Sequence, residues 1–293
     1  YKSVSQEVWT IKKVLDWSVQ YFHQKHIDSP RLTAEWILCH ALDLTRVELY
    51  LQFDKILNQS ELTAIRELIK RRIQHEPLQY ILGRFEFMGL EIELNPNVLI
   101  PRPETEVLVE TLLPLMKQWK HPTVLEIGTG SGCIPIALQH FAKKSFTYIG
   151  LEKSPGAIEC ALSNFKRYEL ASDLFKIHEH DFLTGLPEEL QKLQFEVILS
   201  NPPYVTEEEW ANAQPEVRDF EPKTALVPES EDPLIFYRKI AALKDNITND
   251  GVIIVEMSYP LHQEIETIFT EHGYSVEVFK DYSQKERILI ASK

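Results

Sequence analysis

Two short motifs in this chain, SNPPYV and EIGTGSG, contain residue types that could bind a ligand and act on it. The first begins where the apolar run FEVIL ends, and its prolines, Pro202 and Pro203, cannot continue a sheet because neither has a backbone N–H. The motif has two interpretations. Either it is a rigid loop over a packed Tyr204, or it holds the Asn201 amide, a backbone carbonyl and the Tyr204 ring in a fixed relation.

The glycine-rich motif favours a small ligand at the end of an apolar strand. Gly128, Gly130 and Gly132 permit a sharp turn from strand to helix and let a ligand approach the backbone. Their spacing differs from the GxGxxG fingerprint of dinucleotide sites, and the sequence contains no GxxxxGK[ST] phosphate loop. Nicotinamide dinucleotides and ATP are therefore disfavoured.

Acidic residues end the next two predicted strands. Glu152 follows the last glycine by about 20 residues, where a carboxylate can accept hydrogen bonds from a ribose diol. Asp181 can accept from an adenine amine, and Phe182 can stack on the ring. These groups predict one adenosine without phosphates. S-adenosylmethionine, which carries an amino-acid tail and a positive sulfur, matches the acidic lining best.

If S-adenosylmethionine binds there, the NPPY motif could orient an amide nitrogen toward its methyl group. An amide nitrogen is a poor nucleophile, because its lone pair is delocalised into the carbonyl group. If the Asn201 oxygen and the Pro202 carbonyl each accept one N–H, the nitrogen is fixed with its lone pair toward the methyl group. Such orientation contributes on the order of several kcal/mol. Tyr204 can stack on the planar amide.

The elements that must position these motifs form an α/β pattern. From Thr123 onward, apolar strands alternate with helices, which predicts an open, mostly parallel sheet covered on both faces. The closing runs SVEVFKDY and RILIAS are too close for a crossover helix and predict an antiparallel hairpin. Before the sheet, residues 1–75 show helical periodicity, and two β-rich runs in residues 78–100 predict a hairpin around Met88 and Gly89.

Composition restricts the function classes. The formal charge of −13 disfavours a protein that holds nucleic acid through phosphates, although residues 1–75 carry 11 basic against 9 acidic side chains. No run is long enough to span a membrane, and no signal segment is recognised. Three cysteines without paired spacing suit a reducing cytoplasm. His178 and His180 share one strand face, but no second pair follows, so no metal is predicted.

These motifs together resemble a known family. GTGSG, the strand-end acid and NPPY resemble class I S-adenosylmethionine-dependent methyltransferases that act on planar amide or amine nitrogens. The segment LIPRPETEVLVE, with QYILGRFEFMGLEIELNPNV before it and SNPPYV after it, is similar to the HemK/PrmC family. Members of that family are protein-(glutamine-N5) methyltransferases that modify the GGQ glutamine of peptide chain release factors. The resemblance extends over about residues 75–293.

The resemblance implies a Rossmann-like, mostly parallel seven-stranded sheet with an antiparallel C-terminal hairpin. It also implies an N-terminal helical substrate-recognition domain (1–75), a β-hairpin connector (76–102) and a methyltransferase domain (103–293). The partners implied are release factors, with no direct nucleic acid, no membrane and a monomeric, cytoplasmic enzyme. Residues and resemblance together assign cofactor binding to Gly128, Thr129, Gly130, Ser131, Gly132, Glu152, Asp181, Phe182 and Asn201. They assign glutamine binding to Asn201, Pro202, Pro203 and Tyr204, and catalysis to Asn201, Pro202 and Tyr204.

Some positions depart from the family, and some alternatives stay open. Glu126 and Glu152 stand where the family often has aspartate, and the role of the loop at Glu221 and Pro222 is undetermined. NPPY is shared with adenine methyltransferases, so an adenine-N6 methyltransferase acting on RNA or DNA is the alternative function. A non-catalytic S-adenosylmethionine-binding module is disfavoured by the intact Asn201 and Tyr204. The product of the leading reaction is S-adenosylhomocysteine.

Overall fold

The computed structural model describes residues 8–293, which form two compact units. The helical unit ends at Gly83, and the sheet unit extends from Arg84 to Lys293. Among the described residues, no helix is both long enough and apolar enough to cross a membrane. The predicted division into 1–75, 76–102 and 103–293 stays a prediction.

The helical unit contains helices α1 to α5 and its own apolar core. Their bounds are Ile11–Gln24 (α1), Pro30–Leu42 (α2), Arg46–Leu51 (α3), Gln59–Ile73 (α4) and Leu78–Leu82 (α5). Ile11, Leu15, Ile37 and Leu38 are fully buried in this core, as the helical periodicity of the sequence predicts. Helix α4 is capped reciprocally by Asn58 and Glu61.

The predicted hairpin is present, but it is shorter than the sequence indicates. Strands β1 (Arg84–Phe87) and β2 (Leu90–Glu93) pair antiparallel around Met88 and Gly89. Residues 78–82, assigned above to the first β-rich run, instead form α5, which is a correction. Gly83, with φ of 69°, ends this helical turn in the left-handed region that favours glycine. Five residues are too few for periodicity to separate a strand from a buried helical turn.

The sheet unit alternates strands and helices around one seven-stranded sheet. Its helices are Pro103–Leu115 (α6), Cys133–Ala142 (α7), Pro155–Arg167 (α8), Glu207–Ala211 (α9), Pro215–Phe220 (α10), Ile235–Ala241 (α11) and His262–Glu271 (α12). Its strands are Thr123–Ile127 (β3), Thr147–Glu152 (β4), Phe175–Glu179 (β5), Phe195–Ser200 (β6), Ile247–Glu256 (β7), Ser275–Lys280 (β8) and Glu286–Ser292 (β9).

The strand order β5-β4-β3-β6-β7-β9-β8 confirms the predicted α/β fold class. All neighbours from β5 to β7 pair in parallel, and β9 runs antiparallel to both β7 and β8. The chain adds strands on one side of β3 and then returns to the other side with β6. The carboxyl ends of β3 and β6 therefore flank the switch point at which such sheets bind ligands.

Candidate active site

A crevice of about 370 Å³ opens at the carboxyl ends of the central strands. It brings together most of the residues singled out from the sequence: Gly128, Thr129, Gly130, Ser131, Glu152, Asp181, Phe182, Asn201 and Pro203. Gly132, Pro202 and Tyr204 are not among its lining residues. The crevice also includes residues that sequence reasoning did not select, among them Thr105, Thr224 and Phe236.

The glycine turn is tied directly to the end of β4. The Gly130 N–H donates to Glu152 Oε2 at 2.9 Å, and the Ser154 N–H donates to Oε1 at the same distance. Gly132 has a φ of 78°, and an added Cβ would lie 2.7 Å from the Phe165 ring. The turn therefore needs glycine at 132 for packing and backbone shape, even though this residue does not line the crevice.

The acid and ring after β5 lie at one wall of the crevice. Asp181 Oδ1 accepts from the Leu183 N–H at 3.0 Å, and Oδ2 pairs with Lys153 at 3.0 Å. Burial opposes ionisation of Asp181, but the bonds from Lys153 and Leu183 outweigh it and lower its pKa. Phe182 is buried and lies nearly parallel to Phe236, with ring centroids 6.3 Å apart. The wall therefore offers a carboxylate that is paired with Lys153, beside aromatic surface.

Below the glycine turn, Glu126 is buried in a short hydrogen-bond chain. Tyr148 donates its hydroxyl proton to Glu126, so Thr129 must be the donor in its 3.0 Å contact with Tyr148. Burial raises the pKa of Glu126 to about 8, although the bond from Tyr148 opposes the shift. This carboxyl lines the crevice and has no ion pair among residues 8–293. It is accordingly available to a cationic ligand group.

Asn201 is connected to two residues far from it in sequence. Its Nδ2 donates to Thr105 Oγ1 at 3.3 Å, and Thr105 donates to Glu256 Oε2 at 2.7 Å. Thr105 and Glu256 are both almost fully buried, with 3% and 2% of their surface exposed. Burial raises the pKa of Glu256 to about 7, against the opposing bond from Thr105. The Asn201 side-chain amide is thus restrained by a hydrogen-bond chain through Thr105 to Glu256.

The rest of the NPPY motif supports the loop from below. Pro202 is buried, and Tyr204 packs against the apolar core of the sheet unit. Burial raises the pKa of the Tyr204 phenol to about 12, so the group is neutral at ordinary pH. The Val205 N–H donates to the Leu226 carbonyl at 2.9 Å. The packed tyrosine of the first interpretation is therefore present, and stacking of Tyr204 on a substrate amide stays a prediction.

Glu221, whose role was undetermined, joins two loops beside the crevice. Its Oε2 accepts from the Ile100 N–H at 3.1 Å, and its Oε1 accepts from Arg102 Nη2 at 2.6 Å. Glu221 is buried, whereas the Arg102 side chain is one-third exposed. These bonds anchor the start of PRPETE and hence the first turn of α6, which carries Thr105. The sequence shows the PRPETE motif, but residue spacing could not identify Glu221 as its partner.

Comparison with protein families gives two matches along the chain. The PrmC N-terminal domain matches residues 13–83, and the methyltransferase small domain matches residues 103–216. The first range lies in the helical unit. The second includes the glycine turn, Glu152, Asp181 and the NPPY motif.

Named relatives extend over nearly the whole chain. A release factor glutamine methyltransferase from Geobacter sulfurreducens is 43% identical over 92% of this chain and 91% of its own length. One from Rhodopirellula baltica is 34% identical over 97% of each chain. Among solved structures, the hMettl16 catalytic domain in complex with an RNA hairpin (MAT2A 3'UTR hairpin 1) has a TM-score of 0.54. It is 20% identical and covers 77% of this chain and 80% of its own. That similarity concerns the fold alone.

Proposed function

This chain belongs to the family of release factor glutamine methyltransferases, and from that premise we propose that it methylates the GGQ glutamine of peptide chain release factors. The donor is S-adenosylmethionine, and the accepting atom is the side-chain amide nitrogen. The observation that carries the proposal is that Asn201, restrained through Thr105, lines the same acid-lined crevice as the glycine turn. One site thus combines a donor pocket with a group that can hold a primary amide.

The residues of the crevice fit this cofactor. Glu126, Glu152 and Asp181 line it, and Lys153, which also lines it, is paired with Asp181 and Glu229. The acidic groups therefore outnumber the basic one, which suits a ligand with positive groups and no phosphate. Each Glu152 oxygen already accepts one backbone N–H. A carboxylate offers about four lone-pair sites, so capacity remains for both ribose hydroxyls. The volume lies within the usual range for small-molecule sites.

When bound, S-adenosylmethionine supplies a methyl group whose departure leaves neutral S-adenosylhomocysteine. The glutamine nitrogen gains this methyl and then releases one proton to the solvent. The Asn201 Oδ1 accepts one amide N–H and the Pro202 carbonyl accepts the other, so the lone pair of the nitrogen points at the methyl. This alignment avoids loss of rotational freedom in the transition state. The chain's own contribution is orientation, and no residue needs to remove a proton before methyl transfer.

The helical unit is proposed to recognise the protein substrate. More than half of the exposed large apolar side chains described in residues 8–293 lie in it. They are Val8, Trp17, Leu32, Trp36, Val47, Tyr50, Leu51 and Ile56. We infer that some of these side chains contact the release factor, because a glutamine loop alone buries too little area for useful affinity. We propose that the recognition domain comprises residues 1–75, within the helical unit that ends at Gly83.

The enzyme is proposed to act as a cytoplasmic monomer without a metal or a direct nucleic-acid partner. Support for the last point comes from the charge of −13, which opposes binding to phosphates. Release factors work on the ribosome, so a cytoplasmic location follows from the proposed substrate.

Methyl transfer from labelled S-adenosylmethionine tests this function. The purified chain is incubated separately with a release factor, with the same factor carrying Ala in place of the GGQ glutamine, and with ribosomal RNA or DNA. Label is expected in the intact factor alone. Label in adenine of the nucleic acids would support the alternative function, and equal labelling of the two factors would exclude the GGQ glutamine as the target.

A further inference from the structure

The contact between Asn201, Thr105 and Glu256 joins three separate elements at the crevice. Thr105 lies in the first turn of α6, Asn201 follows β6, and Glu256 ends β7. Each partner is fixed independently. Residues 100 and 102 are bonded to Glu221, the Ser200 hydroxyl donates to Ile127, and the Glu256 carbonyl accepts from the Tyr237 hydroxyl.

The proton on Thr105 determines the direction of this chain of hydrogen bonds. A threonine hydroxyl has one proton and two acceptor lone pairs. Since Thr105 donates that proton to Glu256 at 2.7 Å, it can only accept from Asn201. The Asn201 side chain must then present its NH₂ group to Thr105. Its Oδ1 has no hydrogen-bond partner within the described part of the chain and is left for a ligand in the crevice.

We propose that Thr105 and Glu256 are positioning residues that fix the Asn201 amide with Oδ1 toward the substrate glutamine. The inference rests on the proposed function and deepens it. Without an acceptor behind it, Thr105 could donate to Oδ1 instead, and Asn201 would offer its NH₂ group to the substrate. Two N–H groups facing each other would hold the glutamine in the wrong orientation. Glu256 is almost fully buried, and the Thr105 hydroxyl donates to its carboxyl. Burial raises the pKa of Glu256, and this bond opposes the rise and so favours the ionised form that accepts from Thr105.

A double-mutant cycle tests this coupling in the full-length enzyme. Glu256→Gln keeps the shape of the side chain but offers Thr105 an amide that can also donate. Single-turnover methyl transfer should slow by about 10- to 100-fold, the scale of a misplaced reacting group, while S-adenosylmethionine affinity changes less than about threefold. In an Asn201→Ala background, the same substitution should change the rate less than about twofold, because the group it orients is absent.

Substitutions of threonines in α6 provide a second test that removes no ionisable group. Thr105→Val should match the loss of Glu256→Gln, and Thr105→Ser should recover most of it because the hydroxyl returns. Thr111→Val is the matched control, since within residues 8–293 the Thr111 hydroxyl bonds to the Val107 carbonyl of its own helix and to no other group. The side-chain amide NMR signals of Asn201, assigned by their absence in Asn201→Ala, should shift in Thr105→Val and not in Thr111→Val.

The hydrogen-bond chain from Asn201 through Thr105 to Glu256 is called the relay here. These results distinguish failure of the relay from failure of the proposed function. A wild-type enzyme that leaves release factors unmethylated removes the function. An active wild type with equal losses from Glu256→Gln in both backgrounds, or unchanged Asn201 signals in Thr105→Val, overturns the relay alone. If Glu256→Gln does not fold, the cycle of Thr105→Val and Asn201→Ala tests the same coupling, and equal losses from Thr105→Val in both backgrounds overturn the relay.

Discussion

Buried glutamates occur in both units, and two of those in the sheet unit are held differently from Glu35 in the helical unit. In the helical unit, Glu35 accepts hydrogen bonds from Arg31 at 2.9 Å, from Arg46 at 2.6 Å and from the Tyr50 hydroxyl. Burial opposes its ionisation, but these three donors outweigh burial and lower the pKa of Glu35. The negative charge of Glu35 is compensated by the two arginines that bond to it.

In the sheet unit, Glu126 and Glu256 each have one side-chain donor, a tyrosine and a threonine respectively. Neither has an ion pair in the described structure, and burial raises their pKa values to about 8 and about 7. A buried acid without a cation costs stability. Here the two destabilising carboxyl groups lie at the crevice. Functional sites commonly contain ionisable groups whose pKa values are shifted in this way. The comparison therefore separates a structural glutamate from two that serve the site.

The strongest test of this separation is Asn201→Ala, which removes the amide that Glu256 and Thr105 hold. We expect methyl transfer to fall by about 100-fold or more, because the substrate nitrogen loses its orientation, while the fold and S-adenosylmethionine affinity change little. Single-turnover kinetics and calorimetry on the same preparation provide both readings. A rate within a few-fold of wild type would remove Asn201 from the mechanism.

The opposite result is expected for the structural glutamate. Glu35→Gln removes the charged acceptor of Arg46 and leaves Arg31 with Asp16 at 4.0 Å as its carboxylate partner. It should lower the stability of the helical unit by about 1.5–3 kcal/mol, the range for hydrogen bonds to charged groups. Hydrogen exchange of α1 to α4 measures this, and cofactor affinity should not change. Glu67→Gln is the control, since the Glu67–Lys70 pair is exposed and should contribute less than about 0.5 kcal/mol.

Glu152 lies between these two cases, because it holds backbone N–H groups and also faces the crevice. Glu152→Ala should weaken S-adenosylmethionine binding by about 1–3 kcal/mol through loss of a charged acceptor. Isothermal titration measures the affinity, and circular dichroism checks the fold. Equal affinity in a folded variant would show that Glu152 serves the glycine turn alone.

The next prediction concerns the pH dependence of stability. The pKa of Glu126 is raised from 4.5 to about 8, so between these values the folded state binds more protons than the unfolded state. Stability conferred by neutral Glu126 is lost as pH rises through this window, by about 1.4 kcal/mol per pH unit. Urea unfolding of Glu126→Gln should show a flatter decline than wild type from pH 6 to 8. Parallel curves would mean that Glu126 is ionised in the folded enzyme.

For Glu35 the sign is reversed. Its folded pKa is lowered, so its stabilising contribution is present above the unfolded value of 4.5 and is lost as pH falls through the folded value. The helical unit should therefore lose stability in acid, and the Glu35→Gln variant should not show this additional loss. Hydrogen exchange at pH 5 and pH 3.5 on both proteins would reveal the difference.

The sequence predicted those parts of the molecule that depend on local pattern. Alternating apolar runs were sufficient for the sheet and its antiparallel closing hairpin, because each strand carries its own periodicity. The crevice followed from Gly128, Glu152 and Asp181, since parallel strands end at one edge. The helical turn α5 was missed because five residues carry too little periodic signal.

Long-range polar contacts could not be predicted. Glu221 accepts from the Ile100 N–H across 121 positions, and Thr105 reaches Glu256 across 151. Neither contact has a local signature, because a buried carboxylate can be satisfied by any donor that the fold brings near it. For the same reason the position of Tyr204 against the core could not be distinguished from a place at the crevice.

The central claim is that the crevice delivers a methyl group to one amide nitrogen of a release factor. Tandem mass spectrometry of the GGQ peptide, after incubation of the factor with enzyme and S-adenosylmethionine, tests it most directly. We predict a single added methyl group on the glutamine side chain, formed by wild-type enzyme and nearly absent with Asn201→Ala. A methyl group on any other residue, or an unmodified glutamine beside an enzyme shown to bind S-adenosylmethionine, would contradict the claim.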